Sequence, residues 1–447
     1  MPQTSTLQNQ PQDNDQCLQN GLKDILRATR ENQNDWSRGI EAFLSNPLAS
    51  LPQGVGTETG QAAYSSLTYD SAEKAEAIFK EHLSHVYARN GHPAADFLIK
   101  SLTRFEPHAV TGHAVAHGMT SVAAVFDGLV LVGAIKAGDR IVVSKFLFGS
   151  CRRLIDQMSN IGIEVVFIDG RDLNDWKKAL NARTKIAFFE TPGNPTMELV
   201  DIRAVADLVH STCDALVVVD NSLEFPAQAP LSLGADITVA SLTKALGPDI
   251  VTGGGMDSGG ALLLSQQGLD RLKKLTKTDE DIFSNHTQRH GGTIGARSAL
   301  EMIRRLPYLE PRFARQSRTS KILASHIAAN YPSIDVLSTS LPQHAQAELA
   351  ARQMKGSVLF TLDLGSREQA FHFINALLEQ GLTYVNNFYS YKTTLTHPAS
   401  TTHHSLSDEV QLSQGLKKGH VRVSVGVEDP DFLIAVFDKA MVSVHPK

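Results

Sequence analysis

Cysteine is scarce in this 447-residue chain: Cys17, Cys151 and Cys213 stand far apart, and none belongs to a Cys-x-x-Cys pair. Such spacing supports neither a disulfide framework nor a cysteine zinc site, and it fits a reducing compartment. Long apolar runs are missing too. The longest, around residues 122–135, is interrupted by Asp127 and is too short to span a bilayer. The first residues lack the charged-then-apolar order of a signal segment, so a cytoplasmic protein without a membrane partner is expected. Neither sign of charge dominates. With 42 basic against 47 acidic side chains the net charge is -5, which gives no electrostatic reason to expect nucleic acid. His113 with His117, and His286 with His290, show His-x-x-x-His spacing, but neither pair encloses the glutamate of a His-Glu-x-x-His site. No metal is expected. No repeat period or low-complexity tract appears. What is present is an ordinary globular composition, long enough for two or three packed domains, in which a small-molecule site is the first expectation.

Residues 1–72 begin rich in Gln, Asn, Asp and Ser, followed by one weakly amphipathic stretch at 21–30. They read as a loosely attached N-terminal arm. Across residues 73–311, helical patterns alternate with short apolar runs at 140–144, 164–169, 186–190, 215–220 and 237–241. That alternation predicts an α/β domain with a parallel or mostly parallel central sheet covered by helices on both faces. Residues 312–447 carry a helical stretch on to about Tyr331. Apolar runs at 357–364, 382–386 and 420–425 then alternate with helical patterns at 367–380 and 430–442, which predicts a smaller C-terminal α+β domain.

In open α/β sheets, ligands bind beyond the carboxyl ends of the strands. The run of residues 215–220 ends in Asp220, where an unpaired carboxylate would be costly to bury, so a cationic partner is expected. The next run ends in Ser241-Leu-Thr243-Lys244. Its two hydroxyls are spaced to turn to one side and donate to a phosphate. The lysine follows at a place where partial burial would lower its pKa and make the neutral amine nucleophilic. Pyridoxal 5′-phosphate calls for these three groups together: a lysine for its aldehyde carbon, an acid for its pyridinium nitrogen and a cradle for its phosphate. Gly118-Met119-Thr120 opens a helical pattern and offers backbone N–H groups to the same phosphate, with Gly118 permitting close approach. Each signal is common alone; their order and their strand context single them out.

From about Tyr64 to the C-terminus, the chain resembles the cysteine and methionine metabolism family of pyridoxal phosphate enzymes. That family includes cystathionine γ-synthase, cystathionine lyases, methionine γ-lyase and homoserine sulfhydrylases. The resemblance rests on blocks in one order: Tyr87-Ala-Arg89-Asn-Gly-His-Pro93, Gly118-Met119, Glu190-Thr-Pro-Gly-Asn194-Pro-Thr196, Val219-Asp220-Asn221, Leu233-Gly-Ala-Asp236, Ser241-Leu-Thr243-Lys244, His397-Pro-Ala-Ser400-Thr-Thr-His403 and Val421-Arg422-Val-Ser424-Val-Gly426. It implies an aspartate-aminotransferase-type fold (fold type I), assembled as a homotetramer from two active homodimers. In that assembly Tyr87 and Arg89 resemble the pair that reaches the neighbouring subunit's cofactor phosphate. Phe148 stands where the family stacks a tyrosine on the pyridine ring; a phenyl ring can stack but cannot serve as acid or base. Asn194 resembles the asparagine beside the cofactor's phenolic oxygen, and Arg422 the arginine that grips the substrate α-carboxylate.

The chain also departs from the family. Ser-Gly-Met becomes His117-Gly118-Met119, the segment after the lysine is shortened, and Ser-Leu-Gly-Gly-x-Glu-Ser becomes Asn387-Phe-Tyr-Ser-Tyr-Lys392-Thr393. The resemblance therefore implies Asn387 and Lys392 as substrate-binding residues, with Lys392 in the place of a glutamate and expected to favour an anionic γ-substituent. The implied activity is γ-replacement or γ-elimination on a homoserine-ester-like or methionine-like amino acid, with Lys244 as the catalytic residue moving the protons. Two other readings stay open: β-elimination from cystathionine-like or cysteine-like substrates, and a non-catalytic cofactor-binding subunit.

Overall fold

The computed structural model describes residues 71–80, 86–247, 257–404 and 406–444. The arm expected over residues 1–72 lies outside the described residues, apart from Ser71 and Ala72. The chain divides into two compact units, the first ending at Leu83 and the second beginning at Ser84. In the first unit, the helix Ala72–Lys80 is described.

The second unit contains two sheets. The larger has seven strands: β1 (Ala109–Val115), β2 (Arg140–Ser144), β3 (Glu164–Ile168), β4 (Thr184–Glu190), β5 (Leu216–Asp220), β6 (Ile237–Ala240) and β7 (Gly260–Ser265), in spatial order β1-β7-β6-β5-β4-β2-β3. From β6 through β5, β4 and β2 to β3, neighbours are parallel. Strand β7 runs antiparallel to β6 and to β1, so the expected parallel core is present with one reversed strand. Every residue of β5 and β6 is buried, as unbroken apolar runs require in a sheet covered on both faces. The chain passes from β2 outward to β3 and returns to the far side of β2 as β4. That reversal opens a crevice at the carboxyl ends of β2 and β4. Helix Gly118–Leu131 packs Phe126 and Leu129 into a core shared with Phe188, Val218, Ile237 and Leu262. Phe126 is fully buried, and its truncation to Ala should cost about 3–5 kcal/mol.

The smaller sheet comprises β8 (Asp335–Leu337), β9 (Leu359–Asp363), β10 (Thr383–Tyr384), β11 (Thr394–Thr396) and β12 (His420–Ser424), ordered β10-β11-β12-β9-β8. Helices Arg367–Glu379 and Pro430–Val444 lay Phe373, Leu377 and Phe437 against Phe360, Val421 and Val423 of this sheet. Between the sheets runs the 35-residue helix Ala296–Asn330, which continues through Pro307 and Pro311. The boundary expected at 311/312 therefore falls inside an unbroken helix.

Candidate active site

Strands β4 and β5 end together. Their register pairs Glu190 with Asp220, so both carboxyl groups emerge at the carboxyl edge of the sheet. Asp220 is buried; its Oδ1 accepts the Ser222 N–H at 2.9 Å, and its Oδ2 lies 3.9 Å from the Cys151 thiol. Burial raises its pKa. Among the described residues no lysine, arginine or histidine forms an ion pair with it, so the expected cationic partner is not found among the described side chains. The donor set of this edge fits pyridoxal phosphate, whose protonated ring nitrogen would supply that charge.

Lys244 follows β6 in the short helix Leu242–Ala245. Its Nζ donates to Asn387 Oδ1 at 2.8 Å and stands 5.1 Å from the centre of the Phe388 ring. Burial first, then the Arg422 charge, lower its pKa to about 8, which leaves part of the amine neutral near pH 7. The helix Gly118–Leu131 begins beside Ser241, with no side chain capping it. A Cβ at Gly118 would come within 2.6 Å of Ser241 Cβ, so glycine lets this helix N-terminus close on the serine. This sets a helix N-terminus and a hydroxyl side by side, groups that together suit a phosphate. Thr243 behaves differently from Ser241. Its hydroxyl donates to the Gly259 carbonyl at 3.2 Å and accepts the Gly259 N–H at 3.0 Å.

Arg422, on β12, brings the smaller sheet to the site. It is buried, donating from Nη1 to Asn194 Oδ1 at 2.8 Å and from Nη2 to the Asn387 carbonyl and Thr396 Oγ1, each at 3.3 Å. Its Nε has no hydrogen-bond partner. Burial lowers its pKa to about 10, opposed by the negative potential of Glu190. All its acceptors are neutral, which leaves the guanidinium able to take a carboxylate. Asn194 and Arg422 thus meet across 228 residues of chain.

These groups surround a cavity of about 280 Å³ lined by Gly118, Met119, Phe148, Asn194, Asp220, Ser241, Thr243, Lys244 and Arg422. Three expected residues stand elsewhere. Tyr87 is 45% exposed, and the Arg89 guanidinium lies 5.8 Å over its ring while donating to the Gln288 carbonyl; neither lines the cavity. Lys392 is exposed and also outside the lining, so the geometry of this chain gives the expectation that it faces the substrate no support. The loop that carries it presents Asn386 and Phe388 instead. Asn387 binds Lys244 directly.

Glu190 escaped the sequence reading, although it ends an apolar run just as Asp220 does. Both its oxygens are used: Oε2 accepts the Phe148 N–H at 2.9 Å and Oε1 the Asn194 N–H at 3.2 Å. Cys151, Ser222 and Thr402 also line the cavity without any local pattern to announce them. Burial pushes the Cys151 thiol well above its usual range, so it is no nucleophile.

A model of the Cys/Met metabolism PLP-dependent enzymes matches residues 52–442. The O-succinylhomoserine sulfhydrylase of Mycobacterium tuberculosis is 37% identical over 398 residues, covering 86% of this chain and 91% of that protein. The L-methionine γ-lyase of Fusobacterium nucleatum is 29% identical over 396 residues, covering 85% and 92%. Among solved structures, a putative O-acetylhomoserine (thiol)-lyase from Campylobacter jejuni carries a pyridoxyl-lysine monophosphate. It superposes with a TM-score of 0.75 at 26% identity, covering 85% of this chain and 94% of its own.

Proposed function

Because the chain belongs to the Cys/Met metabolism family of PLP-dependent enzymes, we propose that it catalyses γ-replacement or γ-elimination on a homoserine-ester-like or methionine-like amino acid. Replacement of an O-succinyl group by a thiol or sulfide is the leading case. The observation that carries the reading is the convergence, on one cavity, of a lysine with lowered pKa, a buried carboxylate without a protein cation and an arginine bonded only to neutral acceptors. The greater identity to an O-succinylhomoserine sulfhydrylase than to a methionine γ-lyase favours the ester.

Bound pyridoxal phosphate supplies an electron sink conjugated to the substrate's α-nitrogen. The protein's own groups do the rest. Ser241 and the N-terminus of helix Gly118–Leu131 would hold its phosphate, and Asp220 would keep a negative charge beside its ring nitrogen. Arg422 fixes the substrate α-carboxylate, which directs the Cα–H bond toward the Lys244 amine. Lys244 would take that proton, pass it on to the bound cofactor and, neutral again, take one from Cβ, so that the γ-substituent can depart with its bonding electron pair. Phe148 covers the ring without moving protons, leaving this work to Lys244. Tyr87 and Arg89, distant from their own cavity, are proposed to complete the phosphate site of a second copy, which makes the active form at least a dimer.

The test is to incubate purified protein and pyridoxal phosphate with O-succinylhomoserine, with and without a thiol, and separately with methionine, cystathionine and cysteine, and to identify the products. Thiol-dependent consumption of the ester is expected. Turnover confined to the cystathionine and cysteine samples, with pyruvate as the keto acid released, would establish β-elimination instead.

A further inference from the structure

Glu190 and Asp220 occupy matched positions on adjacent parallel strands, both buried, at 4% and 6% exposure. Strands lie about 4.8 Å apart, and paired residues point their side chains to the same face. Two carboxylates so placed, with little water around them, cannot both carry charge near neutrality. No described lysine, arginine or histidine forms an ion pair with either one.

The groups facing Glu190 from the packed elements are few. They are Asp220 on β5, the Cys151 thiol on helix Gly149–Gln157 and Arg422 on β12, with His117 and Lys244 lining the same cavity. Arg422 directs its hydrogen bonds to Asn194, Asn387 and Thr396. We propose that Glu190 and Asp220 act as one unit that holds a single proton at neutral pH, so that the site presents one negative charge to one cationic ring nitrogen. Once that cation lies beside Asp220, the proton resides on Glu190. Glu190 is then a positioning residue with a second task. Through the N–H groups of Phe148 and Asn194, it ties the ring-covering residue and the partner of Arg422 to the same strand end.

Burial and the Asp220 charge push the Glu190 pKa up to about 8, which sets where the unit should lose its proton. Cys151 does not compete, because burial drives its thiol well above the usual range. The inference depends on the family's cofactor only for the identity of the cation. The measurement below does not use turnover, so failure of the proposed reaction would leave it intact.

The test is infrared difference spectroscopy on the full chain, with and without pyridoxal phosphate, comparing wild type with Glu190→Gln. Glutamine keeps the shape of the neutral acid, so fold and cofactor binding should persist. At pH 6.5 the wild-type-minus-variant spectrum should contain one carbonyl band of a protonated carboxylic acid, and that band should vanish with a midpoint near 8. In Asp220→Asn, where the neighbouring charge is gone, the midpoint should fall by at least about one pH unit; this second variant keeps Glu190 and reads the coupling even if Glu190→Gln fails to fold. Only carboxylate bands at pH 6.5 would overturn the proposal, because Glu190 would then be an ionised clamp. A midpoint unmoved in Asp220→Asn would overturn the sharing.

Discussion

The Lys244 ammonium donates a 2.8 Å hydrogen bond to the side-chain carbonyl of Asn387, 143 residues away. This contact joins the strand-end lysine of the larger sheet to a loop of the C-terminal region, and Asn387 also offers its main-chain carbonyl to Arg422. The amine proposed to move protons and the guanidinium proposed to grip substrate are therefore held by one residue.

Replacing Asn387 with Ala removes that acceptor. Hydrogen bonds to charged groups contribute about 1.5–3 kcal/mol, so kcat/KM should fall roughly 10- to 100-fold while cofactor is retained. Asn387→Ser, which restores a hydroxyl acceptor, should recover part of the loss. Steady-state kinetics with a cofactor absorbance check decides this, and unchanged kcat/KM in Asn387→Ala would remove the residue from the account.

Lys244 itself should titrate low. Its pKa of about 8 arises from burial, with a smaller contribution from Arg422. In the apoprotein, acylation of Lys244 followed by mass spectrometry across pH should show a midpoint near 8, against about 10.4 for an ordinary lysine. Because Asn387 stabilises the charged form, Asn387→Ala should move the midpoint lower still. A shift upward in that variant would contradict the hydrogen bond's role.

Much of this arrangement was legible in the residue order, for identifiable reasons. Strands β2, β4, β5 and β6 are mostly apolar runs with a polar residue at or just beyond the end, and that pattern located Asp220, Ser241 and Lys244 together. Strand β1 was not legible. It carries Thr111, Gly112 and His113 and is mostly half-buried, so it shows neither a continuous apolar run nor a clean alternation. Contacts such as Asn387 with Lys244 and Arg422 with Asn194 span well over a hundred residues, and no local pattern encodes them. For Lys392 the charge is legible in the sequence while the direction of the side chain is not. Tyr389, three residues earlier, takes a φ of 66°, a left-handed conformation that turns the chain and leaves Lys392 exposed.

For that reason Lys392→Glu should be nearly silent. An exposed side chain outside the cavity interacts weakly with a bound substrate through water, so kcat/KM for O-succinylhomoserine and for methionine should each change less than about twofold. A selective loss of tenfold or more for the anionic ester would return Lys392 to the substrate pocket.

The proposed second copy can be tested by complementation. Lys244→Ala and Arg89→Ala are each expected to be nearly inactive as pure assemblies. Mixed dimers place one intact cavity beside one intact Arg89, so refolding the two together should restore part of the wild-type rate. Hybrids shown to form yet remaining inactive would mean that Arg89 serves only its own chain, where it holds Gln288.

The central claim, that Lys244 bears the cofactor, is most directly tested by loading the purified protein with pyridoxal phosphate, reducing with borohydride, digesting and sequencing the peptides by mass spectrometry. The account predicts one pyridoxyl-phosphate adduct, on the peptide containing Ser241, Thr243 and Lys244, and its loss in Lys244→Ala. A stoichiometric adduct on any other lysine, or a bound cofactor that leaves no adduct at all, would contradict it.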